Sequence, residues 1–142
     1  FLFNFLRVEM PAWEVKREHI RWQASSSTDP NLMYLPRMRT DISMRRSSER
    51  KIVDAKYYQR TMAEYLGGGK IHSGNLYQLM SYLSNSVRHE GELLSGMLIY
   101  PQVDRAVEEV YRIQDFDVSI CTINLDQPWH AVRSDLVRLF HR

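Results

Sequence analysis

The stretch from Arg37 to Tyr58 constrains the fold most, because it alternates on both sides of a polar turn. In "RMRTDISMR", 37 to 45, Met38, Thr40, Ile42 and Met44 fall on one face, and Arg37, Arg39, Asp41, Ser43 and Arg45 on the other. "KIVDAKYY", 51 to 58, sets Ile52, Asp54 and Lys56 against Val53, Ala55 and Tyr57. Two such runs around "RSSE" predict an antiparallel hairpin. With the turn on Ser47 and Ser48, Asp41 stands directly opposite Asp54. Cβ atoms so paired lie about 4.5 to 5.5 Å apart, and like charges there cost about 0.2 to 1 kcal/mol. A one-residue slip would turn every side chain to the wrong face, so the alternation on both strands supports this register.

The rest of the chain supplies a mixed α/β frame. Leu2, Phe5, Leu6 and Glu9 at helical spacing predict a helix over 1–10, stopped by Pro11. Residues 18–22 read as a short strand and 25–31, "SSSTDPN", as a loop. Leu76, Leu79, Met80, Leu83 and Val87 form one stripe of a helix over 72–88. The near-continuous apolar run "LLSGMLIYP", 93–101, predicts a strand covered on both faces. "VEEVYRI" and "FDVSICTINL" give two more strands, and 129–141 a closing helix. The order predicts one domain over 1–142, a mixed sheet flanked by helices.

A chain of 142 residues, 44% hydrophobic and 25% charged, has the composition of an ordinary globular protein. No apolar run approaches the roughly 20 residues that span a bilayer, and no signal peptide is evident. A single cysteine, Cys121, excludes an intramolecular disulfide and a cysteine-based zinc site, which fits the cytoplasm. Cys121 itself reads as a small buried strand residue. The chain starts without Met, so residue 1 reads as an internal cut point. The net charge is only +2, yet residues 37–60 carry a local balance of +5. A basic segment around a few acids suits a polyanion such as DNA, with Arg37, Arg39, Arg45 and Arg60 as backbone contacts. Arginines that guard a hairpin edge would give the same composition.

Two carboxylates a few ångströms apart are kept at neutral pH by a shared proton or a shared cation. Carboxylate oxygens completed by water and phosphate are what Mg²⁺ prefers, with Mn²⁺ as a substitute. Asp41 and Asp54 are therefore candidate metal ligands, and Lys56 on the same face is placed to assist an attacking water. Spacing alone favours a surface ion-pair cluster, with Lys56 neutralising Asp54, because D-x-K is common by chance. Gln78 and Tyr82, at i and i+4, project from one face of the 72–88 helix, a face expected to lie opposite the leucine stripe and away from the core.

Asp41, then Asp54-Ala55-Lys56, then Gln78-x-x-x-Tyr82 resembles the PD-(D/E)XK nuclease superfamily, in its branch with a Q-x-x-x-Y helix. "FLFNFLR", "LPRMRTDI", "IVDAKYY", "HSGNLYQLMSYL" and "LIYPQVD" together resemble the C-terminal nuclease domain of the McrC family. That resemblance extends over nearly the whole chain. It implies a restriction-endonuclease-like fold and a Mg²⁺-dependent DNA endonuclease acting on methylated DNA in an McrBC-like restriction complex. It implies catalytic Asp41, Asp54 and Lys56, with Glu9, Gln78 and Tyr82 as further candidates. It also implies an McrB-like AAA+ GTPase partner, so that GTP enters only through that subunit, and an upstream partner-binding region outside this chain. Thr40 stands where the superfamily has its nominal proline, and Asp54 where many members have glutamate.

Two other functions share these residues: an inert DNA-gripping module of nuclease fold, and a superfamily nuclease acting on junctions or ends. Retention of Asp41, Asp54 and Lys56 together argues against the first. "GGGK", 67–70, is not a phosphate loop, since Glu64 replaces its first glycine and Ile71 its Ser or Thr. His19, His72, His89, His130 and His141 show no metal-ligand spacing, and Trp13, Trp22 and Trp129 read as core or partly buried residues.

Overall fold

The computed structural model describes residues 1–56, 71–103 and 105–141. Its elements in chain order are α1 (Leu2–Glu9), β1 (Glu14–Lys16), β2 (His19–Ile20), β3 (Met38–Arg39), β4 (Ile42–Arg46) and β5 (Glu49–Ala55). There follow α2 (Ser73–Asn85), β6 (Leu93–Pro101), β7 (Glu108–Ile113), β8 (Phe116–Ile123) and α3 (Trp129–Phe140). Six strands form one mixed sheet in the order β1-β4-β5-β6-β8-β7, while β2 and β3 form a separate two-stranded ribbon. The β5-β6-β8 centre is parallel and the flanking pairs are antiparallel.

Side-chain alternation divides the core in two. Ile42, Met44, Val53, Ala55, Met97 and Ile99 pack toward α1 and α3, against Leu2, Phe5, Leu6, Leu136 and Phe140. Ile52, Leu94, Leu98, Tyr100, Val118 and Ile120 pack toward α2, against Leu79, Tyr82 and Leu83. β6 feeds both clusters, which is why its sequence is almost unbroken apolar. Cys121 lies buried in the first cluster. Among the described residues no helix is long and apolar enough to cross a membrane.

The hairpin register is the expected one. Ile42 pairs with Val53, Ser43 with Ile52, Met44 with Lys51, Arg45 with Arg50 and Arg46 with Glu49. Ser47 takes the positive φ, 49°, that closes the turn.

Two expectations are corrected, and one strand is added. The strand expected to be continuous from 37 to 45 breaks at residue 40, so Met38 joins the α2-side cluster while Ile42 and Met44 join the other. Thr40 causes the break. Its N–H donates to the Glu18 carbonyl and its Oγ1 accepts from the Glu18 N–H, both at 2.9 Å, which binds the chain to the β2–β3 ribbon. The hairpin also gains β1 on its outer side, a strand whose "EVK" has one apolar residue and no pattern to announce it. Finally, α2 ends at Asn85, and Val87 beyond it is exposed rather than part of the stripe. Arg60 and the glycine-rich 67–70 lie outside the described residues.

Candidate active site

Asp54 occupies the next-to-last position of β5, at the carboxyl end of the parallel strands, the end at which open α/β sheets present ligand sites. Extending the β4–β5 register by one pair sets Asp41 across from it. Asp41 is exposed, and its Oδ2 accepts a hydrogen bond from the Ala55 N–H at 3.1 Å, which anchors the carboxylate at the strand end. Asp54 is only 3% exposed. Its Oδ2 is fully buried and ion-paired to Lys56 Nζ at 2.9 Å.

Burial, then the hydrogen bond with Asp41, pushes the Asp54 carboxyl up to about 6 against the pull of Lys56.

Lys56 is held from its other side. Its Nζ donates to Oε1 of Gln78 at 3.2 Å, and Nε2 of Gln78 donates to the Tyr82 hydroxyl at 2.9 Å. Tyr82 does not face outward as its spacing suggests. It is buried in the α2-side cluster, with burial and the nearby Asp54 charge raising its pKa. The helix therefore anchors Tyr82 in the core and leaves the exposed Gln78 amide to reach the lysine. Asp41, Asp54, Lys56, Gln78 and Tyr82 make one connected group. The Ala55 contribution is a backbone N–H, which no side-chain motif signals.

The other candidates lie elsewhere. Glu9 Oε2 accepts from Arg133 of α3 at 2.6 Å, and among the described residues no third His, Cys, Asp or Glu joins the two aspartates in a group that could hold a metal. Arg37 and Arg39 are exposed on the approach to Asp41. Arg45 sits at the far end of β4, with its guanidinium 3.7 Å from Glu92.

The donor set suits a hard divalent cation. Mg²⁺ is commonly held by one or two carboxylates with water and substrate phosphate completing the shell. A buried carboxylate beside a second carboxylate is such a donor pair.

Residues 1–101 match the family of McrBC 5-methylcytosine restriction system components. The type IV methyl-directed restriction enzyme EcoKMcrBC of Escherichia coli (strain K12) is 45% identical over 140 residues, which is 99% of this chain and 40% of that protein. The chain thus spans about two fifths of the length of the curated relative it matches.

Proposed function

Starting from a chain that belongs to the McrBC family of 5-methylcytosine restriction system components, we propose that it is the DNA-cleaving domain of such a system. It hydrolyses phosphodiester bonds with Mg²⁺, or Mn²⁺ in its place, held by Asp41 and Asp54. Its substrate is methylated DNA in the cytoplasm. An McrB-like AAA+ GTPase partner supplies site recognition and consumes the GTP. The observation that carries this reading is the buried Asp54 carboxylate beside Asp41, with Lys56 Nζ 2.9 Å from its Oδ2.

When bound, Mg²⁺ would neutralise charge on the phosphate and lower the pKa of a bound water. The remaining work falls to the chain. The Ala55 N–H fixes the Asp41 carboxylate, so that both acids are placed before substrate arrives. Lys56, restrained between Asp54 and Gln78, presents Nζ as a donor that orients the attacking water and stabilises the charge it develops. Gln78 and Tyr82 are positioning residues that limit the swing of Lys56. Arg37 and Arg39 flank the phosphate path. Such contacts carry no sequence information, so recognition of the modified base belongs to the partner.

Calorimetric titration of Mg²⁺ or Mn²⁺ in the presence of a short duplex, on the wild type and on Asp54→Ala, tests this. Binding that disappears in the variant supports the metal site. Equal binding in both, or none in either, overturns it and leaves an ion-pair cluster on an inert DNA-gripping module.

A further inference from the structure

The face of the hairpin that carries the aspartates carries a basic groove at its other end. Asp41, Ser43 and Arg45 point to one side by alternation, as do Arg50, Ile52 and Asp54. Arg45 and Arg50 are a register pair, four residues from Asp41 and Asp54, which is about 13 Å of strand. There they meet a groove of about 580 Å³ between the β1–β2 segment and the end of α2. Its walls include Lys16, Arg17, Arg21, Arg45 and Arg50, and among its described lining residues Glu18 is the one carboxylate.

The groove is braced from behind. Arg50, 5% exposed, is ion-paired to Glu18 and donates to the Val87 carbonyl at 3.2 Å. The buried Glu92 lies 3.7 Å from Arg45 and 3.9 Å from Arg50. These contacts neutralise the two arginines and fix their planes, while Lys16 is partly offset by Glu14 at 3.4 Å. The charge that remains to meet a ligand is on Lys16 and Arg21, both exposed. Arg17 turns to the other face of the sheet, where its guanidinium is stacked on Phe3 of α1 at 4.1 Å from the ring centroid. Between groove and aspartates runs the β2–β3 ribbon, whose exposed His19 and Arg39 are paired across the strands.

We propose that this groove is a second DNA-backbone site, taking a phosphate of the same duplex whose scissile phosphate lies at Asp41 and Asp54; it rests on the nuclease reading. The separation of about 13 Å is close to the width of the major groove, about 12 Å, so one duplex laid over the ribbon presents a phosphate at each end. The site fixes how the duplex lies across the domain and reads no base, because its charged groups address phosphate oxygens.

The test measures binding of a short labelled duplex in EDTA, where cleavage does not intervene, as a function of salt. Lys16→Gln/Arg21→Gln is expected to weaken binding about tenfold and to lower the slope of log K against log salt by about 1, at roughly 0.9 for the one phosphate no longer neutralised. Arg21→Gln alone is expected to give part of both changes. Unchanged affinity and slope in both variants, or no duplex binding by the wild type at low salt, overturns the groove. The nuclease reading fails separately, if Asp54→Asn still cleaves.

Discussion

Lys56 Nζ donates to Oε1 of Gln78 at 3.2 Å, so the lysine beside the aspartate pair is gripped by a residue from a different element 22 positions away. Lysine carries a large rotamer entropy, and an acceptor that restricts it keeps the ammonium where a water has to be oriented. Gln78→Leu is expected to lower the single-turnover cleavage rate about 10- to 100-fold while leaving duplex affinity and thermal stability near the wild type. Gln78→Glu retains the acceptor and is expected to recover part of the rate. A fall in duplex affinity equal to the fall in rate would instead make Gln78 a DNA contact.

What the sequence discloses and what it hides follow the range of the interactions. The hairpin register is legible because alternation and turn are local, and the structure keeps the five pairs from Ile42–Val53 to Arg46–Glu49 implied by a turn at Ser47 and Ser48. The two-sided burial of β6 is legible for the same reason. The break at Thr40 is not, because its cause is a pair of hydrogen bonds to Glu18, 22 residues away. Tyr82 reads as outward because its i, i+4 spacing puts it on the face of Gln78, opposite the leucine stripe. Its ring lies beside the leucine stripe at Leu79 and Leu83, and only the hydroxyl needs a partner, which Gln78 supplies. Arg45 reads as a phosphate contact from its charge alone, whereas Glu92, reaching it from a distant loop, holds it in the brace of the groove.

The Asp54 carboxyl makes stability depend on pH in the direction opposite to an ordinary ion-paired acid. Its folded pKa is about 6, above the usual 3.8, so the folded state binds the proton more tightly than the unfolded state. The contribution is fully present below about pH 4 and is lost as pH rises through about 6. The loss reaches at most about 3 kcal/mol, at 1.36 kcal/mol per unit. Denaturant unfolding in EDTA between pH 4 and 7 should show this decline superimposed on the rest of the titration, and Asp54→Asn should remove it. Mg²⁺ should restore stability in the wild type and not in the variant, because a ligand of the folded state stabilises by mass action.

Arg50 bridges two carboxylates whose other cations are Lys16, 4.0 Å from Glu18, and Arg45, 3.7 Å from the buried Glu92. It is ion-paired to Glu18, and Glu92 lies 3.9 Å away on its other side. Arg50→Met should destabilise by about 3 kcal/mol, because Glu18 loses its nearest partner and the buried Glu92 keeps only Arg45. Arg50→Met/Glu18→Gln/Glu92→Gln should recover much of that loss. Urea titration of the three proteins reads the difference, and an equal loss in single and triple variants would assign it to packing.

Gly96 links the central strand to the helix that positions Lys56. A Cβ at residue 96 would lie 2.9 Å from Leu83 Cδ1 and 3.1 Å from Leu79 Cδ2, both inside van der Waals contact, on the side chains that seat α2 against β6. Gly96→Ala must therefore displace those leucines or lift the helix, at an expected cost of about 1 to 3 kcal/mol. Lifting the helix withdraws Gln78 from Lys56, so cleavage should fall by more than the folded fraction alone accounts for. Gly96→Ala/Leu83→Ala, which removes the closest clash, should recover cleavage even where the new cavity leaves stability low. Rate and stability falling and recovering in step would instead show that α2 acts only as a lid on the core.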